Sequence, residues 1–314
     1  MAIFIKYYLH QYKIEIFMKN IVRIKDAGFD GIFFPATKSE CRSNKHSSKI
    51  EFYPVSEMIE KVREKELKAG IILQCFHSPQ LWSIDSFSPP VNFDGTPYVP
   101  DSWYRPTCPN NPMSKERFKK ILDEMSRIVP PDYFYLDFFR FPFFWEQEQL
   151  EVQHKVPPYC YCSHCFTSFS SLIGTPVYSV SQILEMLPEW LEWRTNSMIE
   201  LLKDAKELLL NESQIIIATL PVSSAQLVFV TGQFPQGLID KGCLISPLLY
   251  HAIKEKNISW VEEMLNQYQI DMKATDLFPG FQITDKEEFN LIKQWQDRFA
   301  GINFFNWKTF CDLN

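Results

Sequence analysis

The sequence predicts a closed barrel of alternating strands and helices, on three observations. Short β-branched or aromatic runs recur along the chain, about eight of them; amphipathic segments separate them; and no glycine-rich phosphate turn follows the first run, as an open doubly wound sheet would use. Eight strands suit closure, and 314 residues suit one such unit with extensions. The expected architecture is a single (β/α)8 TIM barrel over residues 1–314, with long βα loops at its C-terminal face.

Strands are expected at 2–8 (AIFIKYY), 31–36 (GIFFPA), 70–77 (GIILQCFH), 133–139 (YFYLDFF), 214–221 (QIIIATLP), 243–250 (CLISPLLY), 270–276 (IDMKATD) and 299–306 (FAGINFFN). Most are short apolar runs of the kind that a strand buried on both faces requires. Between them, 13–27, 55–68, 115–128, 180–210, 258–268 and 285–296 carry apolar residues at helical spacing. Pro54 and Ser114 stand where helices begin, and Pro188 is expected to break 180–210 in two. The helix after the fifth strand is poorly marked, so 223–241 reads largely as loop. Three insertions, 78–113, 141–178 and 222–241, follow strands and therefore belong to the C-terminal face, where barrels assemble their sites.

The composition narrows the partners. With 46% hydrophobic and 22% charged residues the chain can bury a large core. A net charge of −6 without a long Lys/Arg run argues against nucleic acid. No apolar run reaches the roughly 20 residues that span a bilayer, and MAIFIKYYLHQYK is not a secretory leader, so no membrane partner and a cytoplasmic location are expected. Aromatics make up 15% of the chain, and Trp82, Tyr98, Trp103, Tyr104 and Trp145 lie outside the strand cores, where ring faces suit ligands with apolar C–H surfaces.

The fourth strand carries the sharpest chemical signal. In Tyr133-Phe-Tyr-Leu-Asp137-Phe-Phe-Arg140-Phe-Pro142 an apolar strand ends in a carboxylate and a guanidinium, and burying either charge alone is costly. A rim salt bridge accounts for the pair; so does a carboxylate aimed into a site, with Arg140 holding its pKa down. Cys160, Cys162 and Cys165 have metal-ligand spacing, and Cys108, His154 or His164 would complete a tetrahedral structural zinc site; unmetallated thiols packed in the loop are the other reading.

The stretch LDFFRFPFFWE resembles the LDxxRFP and LDxxRYPxHWE signatures of hypothetical glycoside hydrolase families of the TIM-barrel, α-amylase-like type. The resemblance continues through CPNNP at 108–112, the tyrosine-flanked CxCxxC with Phe169 beyond it, EWLEWR at 189–194, and SPLLYH at 246–251, covering roughly residues 25 to 305. It implies a carbohydrate or glycoside ligand and a site built from Asp137, Arg140, Glu146, Tyr250 and His251. The CxCxxC spacing also resembles the zinc motif of tRNA-guanine transglycosylases, which adds a downstream histidine; the next one here is His251, at a strand end.

Cleaving a glycosidic bond ordinarily takes two carboxyl groups and no cofactor. Asp137 is the candidate nucleophile or base, with Glu146, in its aromatic loop, or Asp276, at the end of the expected seventh strand, as the acid. The fifth and sixth strands end without an acid. His77, Trp82, Trp103, Trp145 and Trp307 are the further candidates for holding substrate, and Arg194, mid-helix, is expected to make a structural ion pair. A carbohydrate-binding barrel without turnover, or a zinc-containing base-exchange enzyme of the transglycosylase type, are the alternatives.

Overall fold

The computed structural model describes residues 2–9, 14–38, 50–100, 102–146, 155–209 and 213–313. Its centre is a closed barrel of β1 (Ala2–Lys6), β2 (Gly31–Pro35), β3 (Lys68–Gln74), β4 (Tyr133–Asp137), β5 (Gln214–Thr219), β6 (Leu244–Leu249), β7 (Gly280–Gln282) and β8 (Gly301–Phe305). Every adjacent pair is parallel, and β8 closes on β1. Strands covered on both faces have no solvent side to mark with polar residues, which is why β1 and β2 are buried at every position. No described helix is long and apolar enough to cross a membrane.

The interior is filled in layers. At the N-terminal end, the rings of Phe4, Phe33, Tyr133 and Phe278 pack together with centroids 4.6 to 6.1 Å apart. Four large rings fit because neighbouring strands supply glycine: a Cβ at Gly31 would lie 2.2 Å from the Phe4 ring, and one at Gly70 would lie 2.1 Å from the Phe33 ring. Above this plug lies a polar layer. Lys6 Nζ donates to Tyr135 Oη at 2.9 Å and Tyr250 Oη at 3.0 Å, Tyr135 Oη is 3.0 Å from Ser246 Oγ, and Asn303 Nδ2 donates to Ser246 Oγ at 3.3 Å.

Several expectations about elements are corrected. The seventh strand is not 270–276: the helix Ile258–Asp271 runs through Ile270, a 3-10 turn occupies Ala274–Asp276, and the strand is Gly280–Gln282. Pro279 and Gly280 disguise it as a turn, yet Gly280 pairs with Asn303 of β8, and a Cβ there would lie a tight 3.0 Å from Asn303 Oδ1. The segment 223–241 is not largely loop, for it contains the helices Ser224–Thr231 and Pro235–Ile239. The first is opened by a capping box between Ser223 and Gln226. Asn111, not Ser114, caps the helix Pro112–Met125, and the predicted break falls at Met186, with Pro188 in the first turn of Leu187–Leu208.

The three insertions are tied to one another. Residues 92 and 159 form an antiparallel bridge, and Tyr161 N donates to Val91 O at 2.9 Å. Arg194 is fully buried and, among the described residues, makes no ion pair; it donates to the carbonyls of Tyr159 (2.8 Å), Val230 (3.2 Å) and Phe229. Its guanidinium also sits 4.5 Å from the centre of the Phe141 ring. Backbone carbonyls at loop ends have no ladder partner, and a guanidinium with five donors serves three of them at once.

Gly70→Ala is expected to lower stability by about 1–3 kcal/mol, because the added methyl overfills the aromatic layer rather than straining the backbone. Equilibrium urea denaturation checks this, with Gly95→Ala as the contrast, since no atom lies within 4 Å of a Cβ there and its cost arises from its positive φ alone.

Candidate active site

A cavity of about 310 Å³ opens at the C-terminal mouth of the barrel, directly above the Lys6 layer. Its floor and walls include Lys6, Asp137, Arg140, Glu146 and Tyr250, with His77, Trp103, Tyr104, Phe144 and Trp145 on the aromatic side. Of the expected site residues, the structure thus brings Asp137, Glu146, Arg140, Tyr250, His77, Trp103 and Trp145 to one place.

Asp137 ends β4, and its Oδ1 accepts the amide N–H of Phe138 at 2.9 Å. Phe138 holds φ at 53°, a left-handed conformation that a bulky residue rarely adopts, and such strain concentrates at functional sites. Burial pushes the Asp137 carboxyl above its ordinary 3.8, opposed by Lys6, Arg140 and the Phe138 amide. Arg140 lowers this pKa, as expected, but desolvation outweighs it and Lys6, so the net shift is upward. Glu146 is also raised above its ordinary 4.5, first by burial and further by the charge of Asp137, against Trp103, Arg140 and Lys254. Burial lowers Lys6 to about 8, with Asp137 pulling the other way.

Arg140 is 2% exposed, and its Nε and Nη1 are buried with no hydrogen-bond partner among the described residues. Its guanidinium carbon lies 5.3 Å from the centre of the Phe138 ring. His77 is fully buried; its Nδ1 accepts the Arg105 amide at 3.1 Å, and its Nε2 has no partner among the described residues. That bond places the proton of a neutral imidazole on Nε2. Burial, reinforced by Arg117, Arg105 and Arg140, lowers its pKa to about 3. The ring is stacked on Tyr104 at 5.9 Å and lies 5.0 Å from Phe138.

Other expected site residues lie elsewhere. Asp276 precedes β7 instead of ending it, which sets it at the opposite end of the barrel from the cavity. His251 follows Tyr250 but turns away, with Nε2 3.1 Å from Glu288 Oε1, because successive residues leaving a strand face opposite sides. Trp82 donates to Pro106 O at 2.8 Å and packs on Phe87 within its own insertion. Trp307 is buried against Phe29 and Phe310 under the last helix, Trp307–Asp312, and the cavity is lined instead by Phe305 and Asn306. Lys6 and Tyr8 escaped the sequence reading, although a lysine inside the apolar run AIFIKYY is the same kind of signal that singled out Asp137.

The cysteine cluster is completed by Cys108. The sulfurs of Cys108, Cys160, Cys162 and Cys165 all lie within 4.8 Å of one another and are buried, with Cys108 and Cys165 3.4 Å apart. A tetrahedron of thiolates about 2.3 Å from zinc has edges of about 3.8 Å, so this donor set fits the ion. His164 stands outside the cluster on the helix Ser163–Ile173, and His154 lies outside the described residues. The histidine of the transglycosylase-type motif has no counterpart here, since His251 is engaged with Glu288.

No family model and no curated protein matches the sequence. Among solved structures, the chain is similar to the glycoside hydrolase domain of PgaB (BpsB) from Bordetella bronchiseptica, with TM-score 0.69, 10% identity, and coverage of 99% of this chain and 96% of that one. It is also similar to a β-galactosidase from the Antarctic haloarchaeon Halorubrum lacusprofundi, with TM-score 0.63, 12% identity, and coverage of 98% and 52%. The catalytic domain of β-amylase from Paenibacillus polymyxa aligns with TM-score 0.59, 11% identity, and coverage of 97% and 92%. The chain spans about half the length of that β-galactosidase. At these identities the likeness is one of fold.

Because His77 is held neutral, its imidazole signals in a heteronuclear NMR titration are expected to keep the Nε2–H pattern from pH 8 down to about 4.5. The unfolded histidine titrates near 6.5 and the folded one near 3, so stability present above pH 6.5 is lost as pH falls toward 3. The slope from this group is at most about 1.4 kcal/mol per pH unit. An imidazolium signal for His77 at pH 6 would contradict this environment.

Proposed function

We propose that this chain is a glycoside hydrolase acting on an oligosaccharide or glycoside, with Asp137 as nucleophile or base and Glu146 as general acid. The observation that carries the reading is that these two carboxyl groups line one cavity at the C-terminal mouth, each raised above its ordinary value by burial. Lys6, Arg140 and the Phe138 amide all favour the ionised form of Asp137. Once Asp137 is ionised, its charge helps to keep Glu146 protonated. Glycosidic cleavage uses two such carboxyl groups, one donating a proton to the leaving oxygen while the other attacks the anomeric carbon or activates water. Trp103, at the rim and 40% exposed, and the buried Trp145 offer ring faces for a sugar. The solved neighbours, among them a glycoside hydrolase domain and a β-galactosidase, support this reading at the level of the scaffold.

Tyr250, hydrogen-bonded to Lys6 and stacked on Phe305 at 4.8 Å, fixes the side of the cavity facing Asp137. The four cysteines would hold a structural zinc that joins the insertions carrying Trp103 and Glu146, and no catalytic step passes through it.

Against a panel of aryl glycosides and natural oligosaccharides, the native protein is expected to turn over at least one, and Asp137→Asn to be slower by about 10²–10⁴-fold. Proton NMR of the product anomer then assigns retention or inversion. The pH profile should have both limbs displaced upward from ordinary carboxylate values, the acidic limb reporting Asp137 and the alkaline limb Glu146. Absence of turnover together with undiminished sugar binding by Asp137→Asn would favour a binding barrel instead. Metal analysis of the purified protein is expected to find about one zinc per chain, lost in Cys108→Ser along with a fall in melting temperature. A metal-free protein of unchanged stability would leave the thiols as simple packing groups.

A further inference from the structure

Within the cavity, two donor side chains stand out because no acceptor for them is found among the described residues. Arg140 is 2% exposed, lines the cavity, and leaves Nε and Nη1 buried and unpartnered among the described residues; neither is paired with Asp137 or Glu146. His77 is fully buried, lines the same cavity, and leaves Nε2 unpartnered, with its proton fixed there by the Arg105 amide on Nδ1. Both side chains lie against one ring, that of Phe138, His77 with its ring centre at 5.0 Å and Arg140 with its guanidinium carbon at 5.3 Å. Buried donors are satisfied in nearly all proteins, and a guanidinium is the costliest of them to leave unpaired.

Accordingly we propose that Arg140 and His77 form a subsite for a carboxylate carried by the sugar, so that the substrate is a uronic acid glycoside or another carboxylate-bearing glycoside. This rests on the glycoside reading above. A sugar hydroxyl brings a proton that needs an acceptor, whereas Arg140 Nε and Nη1 and the protonated His77 Nε2 can only donate. A carboxylate accepts several hydrogen bonds, donates none, and matches the planar fork of arginine. The charges agree. The ionisable residues lining the cavity are, apart from the neutral His77 and the tyrosines, Lys6 and Arg140 against Asp137 and Glu146. With Glu146 protonated, as a general acid must be, one positive charge is in excess, and one ligand carboxylate balances it. The strained backbone at Phe138 then has a purpose: the left-handed turn lets the chain present Asp137 and Arg140, three residues apart, to the same cavity while its own ring supports the two donors.

The test is isothermal titration calorimetry of the full-length protein with glucuronate and galacturonate beside glucose and galactose, repeated with Arg140→Gln and Arg140→Lys. Matched aryl glycosides of both anomers are assayed in parallel. The expected result is that one uronate binds at least about ten-fold tighter than its neutral counterpart, as a charge-assisted pair would give. That preference should collapse to within about two-fold in Arg140→Gln and fall partway in Arg140→Lys, which keeps the charge and loses the fork. Neutral sugar binding as tight as uronate, no binding of any uronate, or a preference that survives Arg140→Gln would overturn the subsite. Should Arg140→Gln fail to fold, the comparison of uronate with neutral sugar in the native protein still decides. Selective uronate binding without turnover would sink the hydrolase reading and leave the subsite standing; turnover of neutral glycosides without uronate preference would do the reverse.

Discussion

An ammonium group on the barrel axis sets the terms for the rest of the molecule. Lys6 is 1% exposed, and a buried cation persists only where its donors are taken up and a counter-charge is near. Two tyrosine hydroxyls, from β4 and from the residue after β6, accept from it, and Tyr135 passes the connection to Ser246 and Asn303. Strands β1, β4, β6 and β8 are thereby bound to one point at the level where packing ends and the cavity begins. Asp137, one inward position above Tyr135 on β4, supplies the counter-charge. A neutral residue in place of Lys6 would leave two phenols and a carboxylate facing each other without a cation.

From that point the site builds outward as a series of electrostatic consequences. Lys6 favours the ionised form of Asp137, ionised Asp137 disfavours ionisation of Glu146, and Arg140 acts on both from the far side of Phe138. Desolvation by the aromatic wall enlarges every one of these effects, since the same charges in open water would scarcely sense each other. The aromatic residues thus do more than offer ring faces to a ligand; they set the dielectric in which four charged groups are read.

What the sequence disclosed follows from which signals are local. Strands buried on both faces are continuous apolar runs, so seven of the eight could be placed from the text, and a charge interrupting such a run located Asp137 and Arg140. The seventh strand was hidden because Pro279 and Gly280 read locally as a turn, while the pairing of Gly280 with Asn303 on the neighbouring strand is invisible in a single segment. For the same reason Trp307 and His251 misled: residue type and position at a strand end are local facts, but the direction of the side chain depends on which of two successive residues points inward. Cys108 could be named only as one of three candidates, since more than fifty residues separate it from the other cysteines and it is contacts between the insertions, such as the antiparallel bridge at residues 92 and 159, that bring them together. Arg194 was legible as notable but not as a clasp for carbonyls, because backbone acceptors leave no trace in residue identity.

The shared anchoring of the two longest insertions has a consequence for how this protein can change over generations. One insertion contributes Trp103 and Tyr104 to the cavity and Cys108 to the cluster; the other contributes Phe144, Trp145 and Glu146 and the remaining three sulfurs. Neither loop can be lengthened, shortened or exchanged alone without losing its half of the junction, so selection acts on them as a pair. Substitutions in one will be tolerated or not according to the history of the other. The aromatic plug beneath, which touches neither, is free to stay constant while the mouth above it acquires a new preference.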